Sequence, residues 1–220
     1  MGWAFLDPDA SILNHSYTGN DLSGATLTDT TGSENGTAAN VTTETWGSDK
    51  LLVFNGTSSE ITFTNEIYPE VDFSISLWMA HPNSIVEHEI IVVVMGPDNT
   101  APSNQNSFRI NPAGNLDYFT ETGSGVNHIQ DLGVAVPISS TPTHYVYVVT
   151  NGKISVYVDS VLTVNKLSIT NVDEQTYGTF MGKNNWVVPY KYWLNAKLGK
   201  MKFYTGELTQ SEVDALYAEV

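Results

Sequence analysis

Hydrophobic and polar residues alternate most clearly along residues 144–164, HYVYVVTNGKISVYVDSVLTV. Two runs rich in β-branched and aromatic residues, 145–149 and 154–158, flank the dipeptide Asn151-Gly152. Asn-Gly suits both positive-φ positions of a two-residue type I′ turn. In the second run every other residue is aliphatic, which is the period of a strand with one buried side. The pattern predicts a β-hairpin that forms part of a layered antiparallel structure.

The same period of two recurs along the rest of the chain. DFSISLWMA alternates in this way, and EIIVVVMG is a continuous apolar run typical of a central strand buried on both faces. Further strands are predicted in KLLVFNGTSSEITFT, NSFRINPAGNLDYFTE, GVNHIQDL, TYGTFMG and AKLGKMKFYTG, the first as two strands around Asn55-Gly56. About a dozen short strands separated by turn residues predict an all-β fold, a two-sheet antiparallel jelly-roll sandwich.

The two ends of the chain follow other patterns. The C-terminal LTQSEVDALYAEV predicts a short helix, because Thr209 and Glu212 form a capping box and Leu208 and Val213 a hydrophobic staple. Residues 1–45 are rich in Thr, Asn, Gly and Ser, and we expect them to wrap the sandwich as loops and short edge strands, with a disordered arm as the alternative. We expect residues 1–220 to form a single domain.

Composition and charge limit the classes of molecule that this chain is expected to bind. The chain has no cysteine, so no disulfide stabilises it, and its net charge is −15. Residues 1–152 hold 17 acidic but only two basic side chains, whereas residues 153–220 are neutral. Such a surface repels phosphate groups, which disfavours nucleic acid and anionic membranes as partners. Solubility is the simpler explanation of the charge, and cation binding or attachment to a basic protein the alternative.

Several landmarks occur in an order that resembles a known family. They are Phe54-Asn55-Gly56 before the first paired strands, Trp78 in the next strand, Tyr157-Val158-Asp159 at the hairpin, the strand with Gly199, and Leu208-Thr209 with Glu212. This order is similar to that of the laminin-G-like jelly roll of the concanavalin A-like lectin/glucanase superfamily. Two departures are Ser160, where relatives have glycine, and Lys200-Met201, where many have an acidic residue. The second weakens the calcium site that the resemblance implies.

Catalysis is disfavoured by the acidic residues available. The resemblance implies, for glucanase relatives, a Glu-x-Asp-x-x-Glu type signature, since retaining hydrolysis needs two carboxyl groups about 5 Å apart. The nearest string begins Glu70-Val71-Asp72 and lacks the last glutamate, because Ser74 or Ile75 stands in its place. We therefore expect a non-catalytic protein, in which Glu70 and Asp72 belong to a loop that leads into a strand.

Metal binding is a weaker hypothesis. The five histidines, His15, His81, His88, His128 and His144, show no ligand spacing, and we expect them to be structural or superficial. The sequence also allows the hypothesis of a structural Ca²⁺ ion. Its oxygen ligands would come from polar loops that contain Asp7, Asp9, Asn20 and Asp21. We expect no other cofactor.

The most suggestive surface stretch is GKNNWVVPYKYWLNAK, residues 182–197. Its aromatic side chains can stack on sugars or anchor a protein, and its amides can bond hydroxyls. The predicted ligand-binding residues are Asn184, Asn185, Trp186, Tyr190 and Tyr192, near Lys183, Lys191 and Trp193. The alternative is that some of these aromatics belong to a strand and are buried in the core.

Three functions follow from the sequence. The first is a non-catalytic surface attachment or structural protein, such as a virion decoration or adhesion subunit that binds a protein surface, for example a capsid, or a glycan, with homo-oligomerisation left open. The second is a lectin-like glycan-binding module of a bacterial polysaccharide-utilising system. The third, disfavoured, is a glycoside-active enzyme. The N-terminus lacks a basic start followed by an apolar run, so we expect a virion-surface or extracellular protein without a recognisable signal peptide.

Overall fold

The computed structural model describes residues 12–68, 72–95, 105–121, 126–170, 178–184 and 192–219. These residues form two antiparallel sheets packed face to face, with one short α-helix near the C-terminus. The strands are β1 (Ile12–Tyr17), β2 (Leu22–Ser23), β3 (Thr26–Leu27), β4 (Gly36–Ala39), β5 (Thr42–Trp46), β6 (Asp49–Val53), β7 (Glu60–Phe63), β8 (Phe73–His81), β9 (Glu89–Met95), β10 (Gln105–Ile110), β11 (Asn115–Glu121), β12 (Asn127–Ala135), β13 (Ser139–Thr150), β14 (Lys153–Val158), β15 (Val161–Ser168), β16 (Gly178–Met181) and β17 (Lys197–Thr205). The helices are the 3₁₀ turn η1 (Gly19–Asp21) and α1 (Gln210–Tyr217).

The strand order confirms the predicted jelly-roll sandwich. The eight-stranded sheet runs β15-β14-β13-β8-β17-β6-β5, and β1 also pairs with β17. The nine-stranded sheet runs β12-β11-β10-β9-β16-β7-β4-β3-β2. The N-terminal segment contributes β1 to β4 and most of β5, so it adds strands to both sheets.

The predicted central hairpin is confirmed as β13 and β14. Asn151 and Gly152 have φ values of 50° and 65°, as a type I′ turn requires, and Thr150 pairs with Lys153 across it. The carboxylate of Asp72, just before β8, accepts a 2.8 Å hydrogen bond from the backbone N–H of Asn151. The turn is therefore tied to the strand that pairs with β13.

The predicted pair of strands around Asn55-Gly56 is present, but its strands do not pair with each other. β6 lies in the eight-stranded sheet and β7 in the nine-stranded sheet. The Asn55 side-chain oxygen accepts hydrogen bonds from the backbone N–H groups of Thr57, Ser58 and Ser59, at 3.0, 2.8 and 3.1 Å. This loop carries the chain across the sandwich, so a local turn signal correctly located the strands and gave no information on their partners.

Aromatic side chains fill the space between the sheets. Phe108 packs against Tyr118 and Tyr147, with ring centroids 5.0 and 4.4 Å apart, and edge-on against Phe73 at 6.1 Å. Each such fully buried side chain stabilises the fold by roughly 1.5–3 kcal/mol. β8 and β9 are buried on both faces, which confirms for β9 the prediction of a central strand.

The helix α1 covers the outer face of the eight-stranded sheet. The predicted capping box is confirmed, because the Glu212 carboxylate accepts a 2.7 Å hydrogen bond from the Thr209 N–H while the Thr209 hydroxyl accepts one from the Glu212 N–H. Leu208 and Val213 are both buried in a cluster with Val146 of β13. Among the described residues, no helix is long and apolar enough to span a membrane.

Candidate functional site

The outer face of the nine-stranded sheet carries a row of polar cross-strand pairs on β10 and β11. The turn between these strands is closed by Asn111, whose side-chain oxygen accepts hydrogen bonds from the N–H groups of Ala113 and Asn115, at 3.0 and 3.1 Å. The turn sets a register in which Arg109 lies opposite Asp117. Because side chains alternate along a strand, both residues point away from the core.

Arg109 and Asp117 form a bidentate ion pair. Arg109 donates from Nε to Oδ1 of Asp117 at 2.7 Å and from Nη2 to Oδ2 at 2.9 Å. Arg109 is 4% exposed and Asp117 1% exposed, so the pair is screened little by water. The guanidinium carbon also lies 4.3 Å from the centroid of the Phe119 ring, in a cation–π contact.

The row continues away from the ion pair. Ser107 lies opposite Phe119, and its buried hydroxyl makes no hydrogen bond within the described part of the chain. Gln105 lies opposite Glu121 and donates a 2.9 Å hydrogen bond to its carboxylate. Burial raises the pKa of Glu121, although the bond from Gln105 opposes this shift.

His88 and Tyr192 form the half-exposed rim of this face. Their rings meet edge to face with centroids 5.3 Å apart, and Nδ1 of His88 lies 3.8 Å from Oδ2 of Asp117. Burial lowers the pKa of His88, and the positive charge of Arg109 lowers it further against the opposing effect of Asp117, so the ring is neutral at pH 7. We call His88, Arg109, Asp117, Phe119 and Tyr192 the outer-face cluster.

The structure brings two of the predicted ligand-binding residues together. Asn184 accepts a 3.2 Å hydrogen bond on its side-chain oxygen from the backbone N–H of Tyr192. Asn184 is only 2% exposed, so its amide positions Tyr192. The Tyr192 side chain packs beside Ile90 and Val93 of β9. The other three predicted residues, Asn185, Trp186 and Tyr190, lie outside the described residues, as does Lys191.

The lysine and the tryptophan near this loop have partners in the structure. Lys183 forms an ion pair with Glu60 of β7, and its ammonium group also lies 5.5 Å from the Trp193 ring. Both contacts hold the start of the loop against the nine-stranded sheet. Lys183 is therefore engaged with the protein itself.

The members of the cluster that were not predicted from the sequence to bind a ligand are His88, Arg109, Asp117 and Phe119. One signal was available, because Arg109 is the only arginine in the chain and stands between Phe108 and Ile110 in a strand. A charged residue between two apolar residues of a strand demands a partner when it is buried. The sequence did not reveal that partner, which depends on the register of β10 and β11.

The other acidic candidates have structural contacts. Asp72 binds the hairpin turn, and Glu70 lies outside the described residues. Asp21 caps η1 by accepting hydrogen bonds from the N–H and hydroxyl of Thr18, at 2.7 and 2.9 Å. Asn20 donates to Asp49 at 3.0 Å. Asp7 and Asp9 lie outside the described residues, within which no group of three acidic or histidine side chains could hold a metal ion.

Comparison with solved structures identifies similar folds. Domain 4 of AbnA, a GH43 extracellular arabinanase from Geobacillus stearothermophilus solved with arabinotriose, has a TM-score of 0.71 and 21% identity over 94% of this chain and 98% of that chain. Trypanosoma rangeli sialidase solved with sialic acid has a TM-score of 0.66 and 12% identity over 93% of this chain, but only 32% of the sialidase chain. At such identities the likeness shows the fold alone.

Comparison of the sequence gives the family. A search of the curated proteins finds no match. Residues 55–214 match the family model Laminin_G_3, described as Concanavalin A-like lectin/glucanases superfamily. This match covers most of the chain and includes the landmarks from Asn55 to Glu212 that first suggested the resemblance. The chain belongs to the concanavalin A-like lectin/glucanase superfamily.

Proposed function

We propose that the protein is a non-catalytic attachment module that binds a glycan through the outer-face cluster. The observation that carries this proposal is the half-exposed pair of His88 and Tyr192 rings beside the buried Arg109–Asp117 ion pair. Sugar sites combine an aromatic or apolar surface with a few fixed polar groups. The outer-face cluster contains both.

The ion pair supports the two rings and does not meet the sugar directly. Arg109 and Asp117 are 4% and 1% exposed, so their two hydrogen bonds are made beneath the rim. Nδ1 of His88 lies 3.8 Å from Oδ2 of Asp117, and the guanidinium of Arg109 lies over the Phe119 ring, so the pair fixes the sheet face that carries the rings of His88 and Tyr192. Preorganised groups of this kind bind without a large loss of side-chain entropy.

Structures of similar fold support a glycan as the ligand. The arabinanase domain was solved with arabinotriose and the sialidase with sialic acid. The net charge of −15 favours a neutral glycan over an anionic one for this chain. In charge, the expected ligand is therefore more like the neutral arabinotriose than like the anionic sialic acid.

The carboxylates on this face support a non-catalytic role. Asp117 is bound by Arg109 and Glu121 by Gln105. A retaining glycosidase instead needs one carboxylate as nucleophile and a second as acid/base. Incubation with neutral oligosaccharides should release no reducing sugar, and sustained release at catalytic amounts of protein would contradict this part of the proposal.

The more specific hypothesis of a virion decoration or adhesion subunit remains a prediction from the sequence. It places the protein on a virion or another extracellular surface and predicts that it copurifies with assembled particles. A capsid protein or a second copy of this chain would then be the partner. Size-exclusion chromatography with mass measurement, together with particle purification, would test these assignments.

A glycan array tests the main proposal. The wild-type protein should bind a defined set of neutral glycans, and Tyr192→Ala should weaken that binding while the protein remains folded. Tyr192→Phe is the matched control, because it keeps the ring and removes only the hydroxyl. Absence of binding to any neutral glycan would overturn the proposal.

A further inference from the structure

A second polar site lies at the open edge of the sandwich, away from the outer-face cluster. β12 and β15 are the edge strands of the two sheets, and between them is a cleft of about 430 Å³. Thr120 of β11 closes the cleft on the inside, where its hydroxyl donates a 3.1 Å hydrogen bond to the backbone oxygen of Thr170. This bond joins the two layers, and the cleft opens outward from it.

Strand β12 presents polar side chains to the cleft at this point. In the register of β11 and β12, His128 lies opposite Thr120 and Gln130 lies opposite Tyr118. Residues opposite each other in a ladder point to the same face, so the exposed His128 and the partly buried Gln130 line the mouth of the cleft. Ile129, between them, points outward and is 61% exposed.

This pattern is the reverse of the usual arrangement in a sandwich. Further along the same strand, Leu132 and Val134 are buried in the core. A strand that only closed the sandwich would continue with apolar residues inside and polar residues outside. Places where a sequence departs from its local rule are often functional. The reversal at residues 128–130 therefore marks the cleft as a candidate site.

The chemistry of the lining selects a class of ligand. Opposite β12, Ser168 and Thr170 add hydroxyl groups, and the apolar side chain of Ile169 stands between them. Among the described residues, no Asp, Glu, Lys or Arg lines the cleft, in a chain with 24 acidic and nine basic residues. The described lining therefore offers neither a carboxylate for a cation nor a positive side chain for a phosphate or carboxylate ligand. Hydroxyl, amide and imidazole groups instead match the donors and acceptors of an uncharged polyol.

The volume agrees with a small ligand, because binding pockets for small molecules span about 300–1,000 Å³ and this cleft measures about 430 Å³. We propose that the cleft between β12 and β15 binds a neutral sugar through His128, Gln130 and the hydroxyls of Ser168 and Thr170. The site is separate from the outer-face cluster, since the two involve different faces of β11. The inference does not depend on the proposed function, and both sites together would let one chain hold a glycan at two points.

Chemical-shift mapping of the ¹⁵N-labelled protein tests the site, with arabinotriose, cellotriose and maltotriose as neutral probes and tri-galacturonic acid as the acidic probe. At least one neutral probe should shift the backbone amides of residues 127–130 and 168–170 and the side-chain amide of Gln130. The double variant His128→Leu/Gln130→Val should weaken this binding by about tenfold or more, as expected for the loss of hydrogen bonds. Val161→Thr, at the exposed start of β15 and away from the residues that line the cleft, should bind as the wild type does.

The variant Tyr192→Ala separates the two proposals, because it should leave the cleft shifts unchanged even if it abolishes binding at the outer-face cluster. Absence of cleft shifts with all three neutral probes would overturn the inference. It would also be overturned by shifts that the double variant leaves intact, or by equal binding of the acidic probe.

Discussion

Arg109 and Asp117 lie directly opposite each other on β10 and β11 and are joined by two hydrogen bonds, of 2.7 and 2.9 Å. The pair is buried on a sheet face, whereas Asp131, which lies opposite Asp117 on β12, is exposed to water. Each charge is therefore compensated chiefly by the other. This relationship links the stability of the nine-stranded sheet to the proposed glycan site.

Removing one charge of the pair should destabilise the protein strongly. Asp117→Asn leaves the guanidinium of Arg109 buried without a counter-ion, and breaking such a pair costs about 3–5 kcal/mol. The free energy of unfolding in urea measures the effect. Glu219→Gln is the control, because it removes one partner of the exposed pair with Lys202 and should cost at most about 1 kcal/mol. Equal losses for the two variants would contradict the assigned burial.

His144 should make the protein less stable in mild acid. It lies under α1, where Nε2 is 2.8 Å from the hydroxyl of Ser76 and the ring stacks on Trp78 at 4.9 Å. Burial lowers its pKa from 6.5 to about 4, with the nearby charges of Asp159, Glu219 and Lys202 making smaller contributions. The unfolded chain therefore binds more protons between these values, so stability is full above pH 6.5 and falls as the pH drops towards 4.

The His144 contribution can be isolated by difference. A shift of this size corresponds to about 3 kcal/mol lost across that pH window. The free energy of unfolding, measured in urea, should change less with pH in His144→Gln than in the wild type, by about 3 kcal/mol across this window. The carboxylates titrate alike in both proteins, so they do not contribute to the difference. Parallel curves for the two proteins would contradict the assignment.

His81 should have the opposite pH dependence. Its Nδ1 lies 2.8 Å from the backbone oxygen of Asn83 and its Nε2 lies 2.9 Å from the carboxylate of Glu89. Both neighbours accept hydrogen bonds, so the ring carries two protons. Burial opposes the charged ring, but the hydrogen bond and charge of Glu89 outweigh it and raise the pKa.

The raised pKa of His81 sets the sign of its effect. The folded state holds this proton more tightly than the unfolded state, so the stabilisation is present below pH 6.5 and is lost as the pH rises through the folded value. Two-dimensional NMR of the imidazole should give a pKa above 6.5 in the wild type. Glu89→Gln should lower it, and an unchanged value in that variant would show that Glu89 does not set the protonation state.

Local patterns in the sequence predicted the elements whose stability is local. The Asn151-Gly152 turn, the strand β8 and the capped helix α1 were each predicted from neighbouring residues and are present, but β8 is buried on both faces where its alternation indicated one. The turn at Asn55 located two strands without giving their partners, because the same signal serves a hairpin and a crossing between sheets.

The candidate site was less accessible to sequence reasoning because its members meet through the tertiary fold. Tyr192 was selected from its aromatic neighbourhood, but its contact with His88 joins distant parts of the chain. The Arg109–Asp117 pair depends on the exact register across the turn at Asn111, and a slip of one residue would have turned one of them into the core. Aromatic composition was enough to select Tyr192, whereas the ion pair required the strand register.

The central claim is that the outer-face cluster binds a glycan, and isothermal titration calorimetry with the best neutral ligand from the array tests it most directly. Loss of the Tyr192 ring should weaken binding by about tenfold or more, the scale of one stacking contact. We therefore predict that Tyr192→Ala raises Kd by this factor while Tyr192→Phe stays within about threefold of the wild type. An unchanged Kd for Tyr192→Ala, in a variant whose circular dichroism shows that it is folded, would contradict the account.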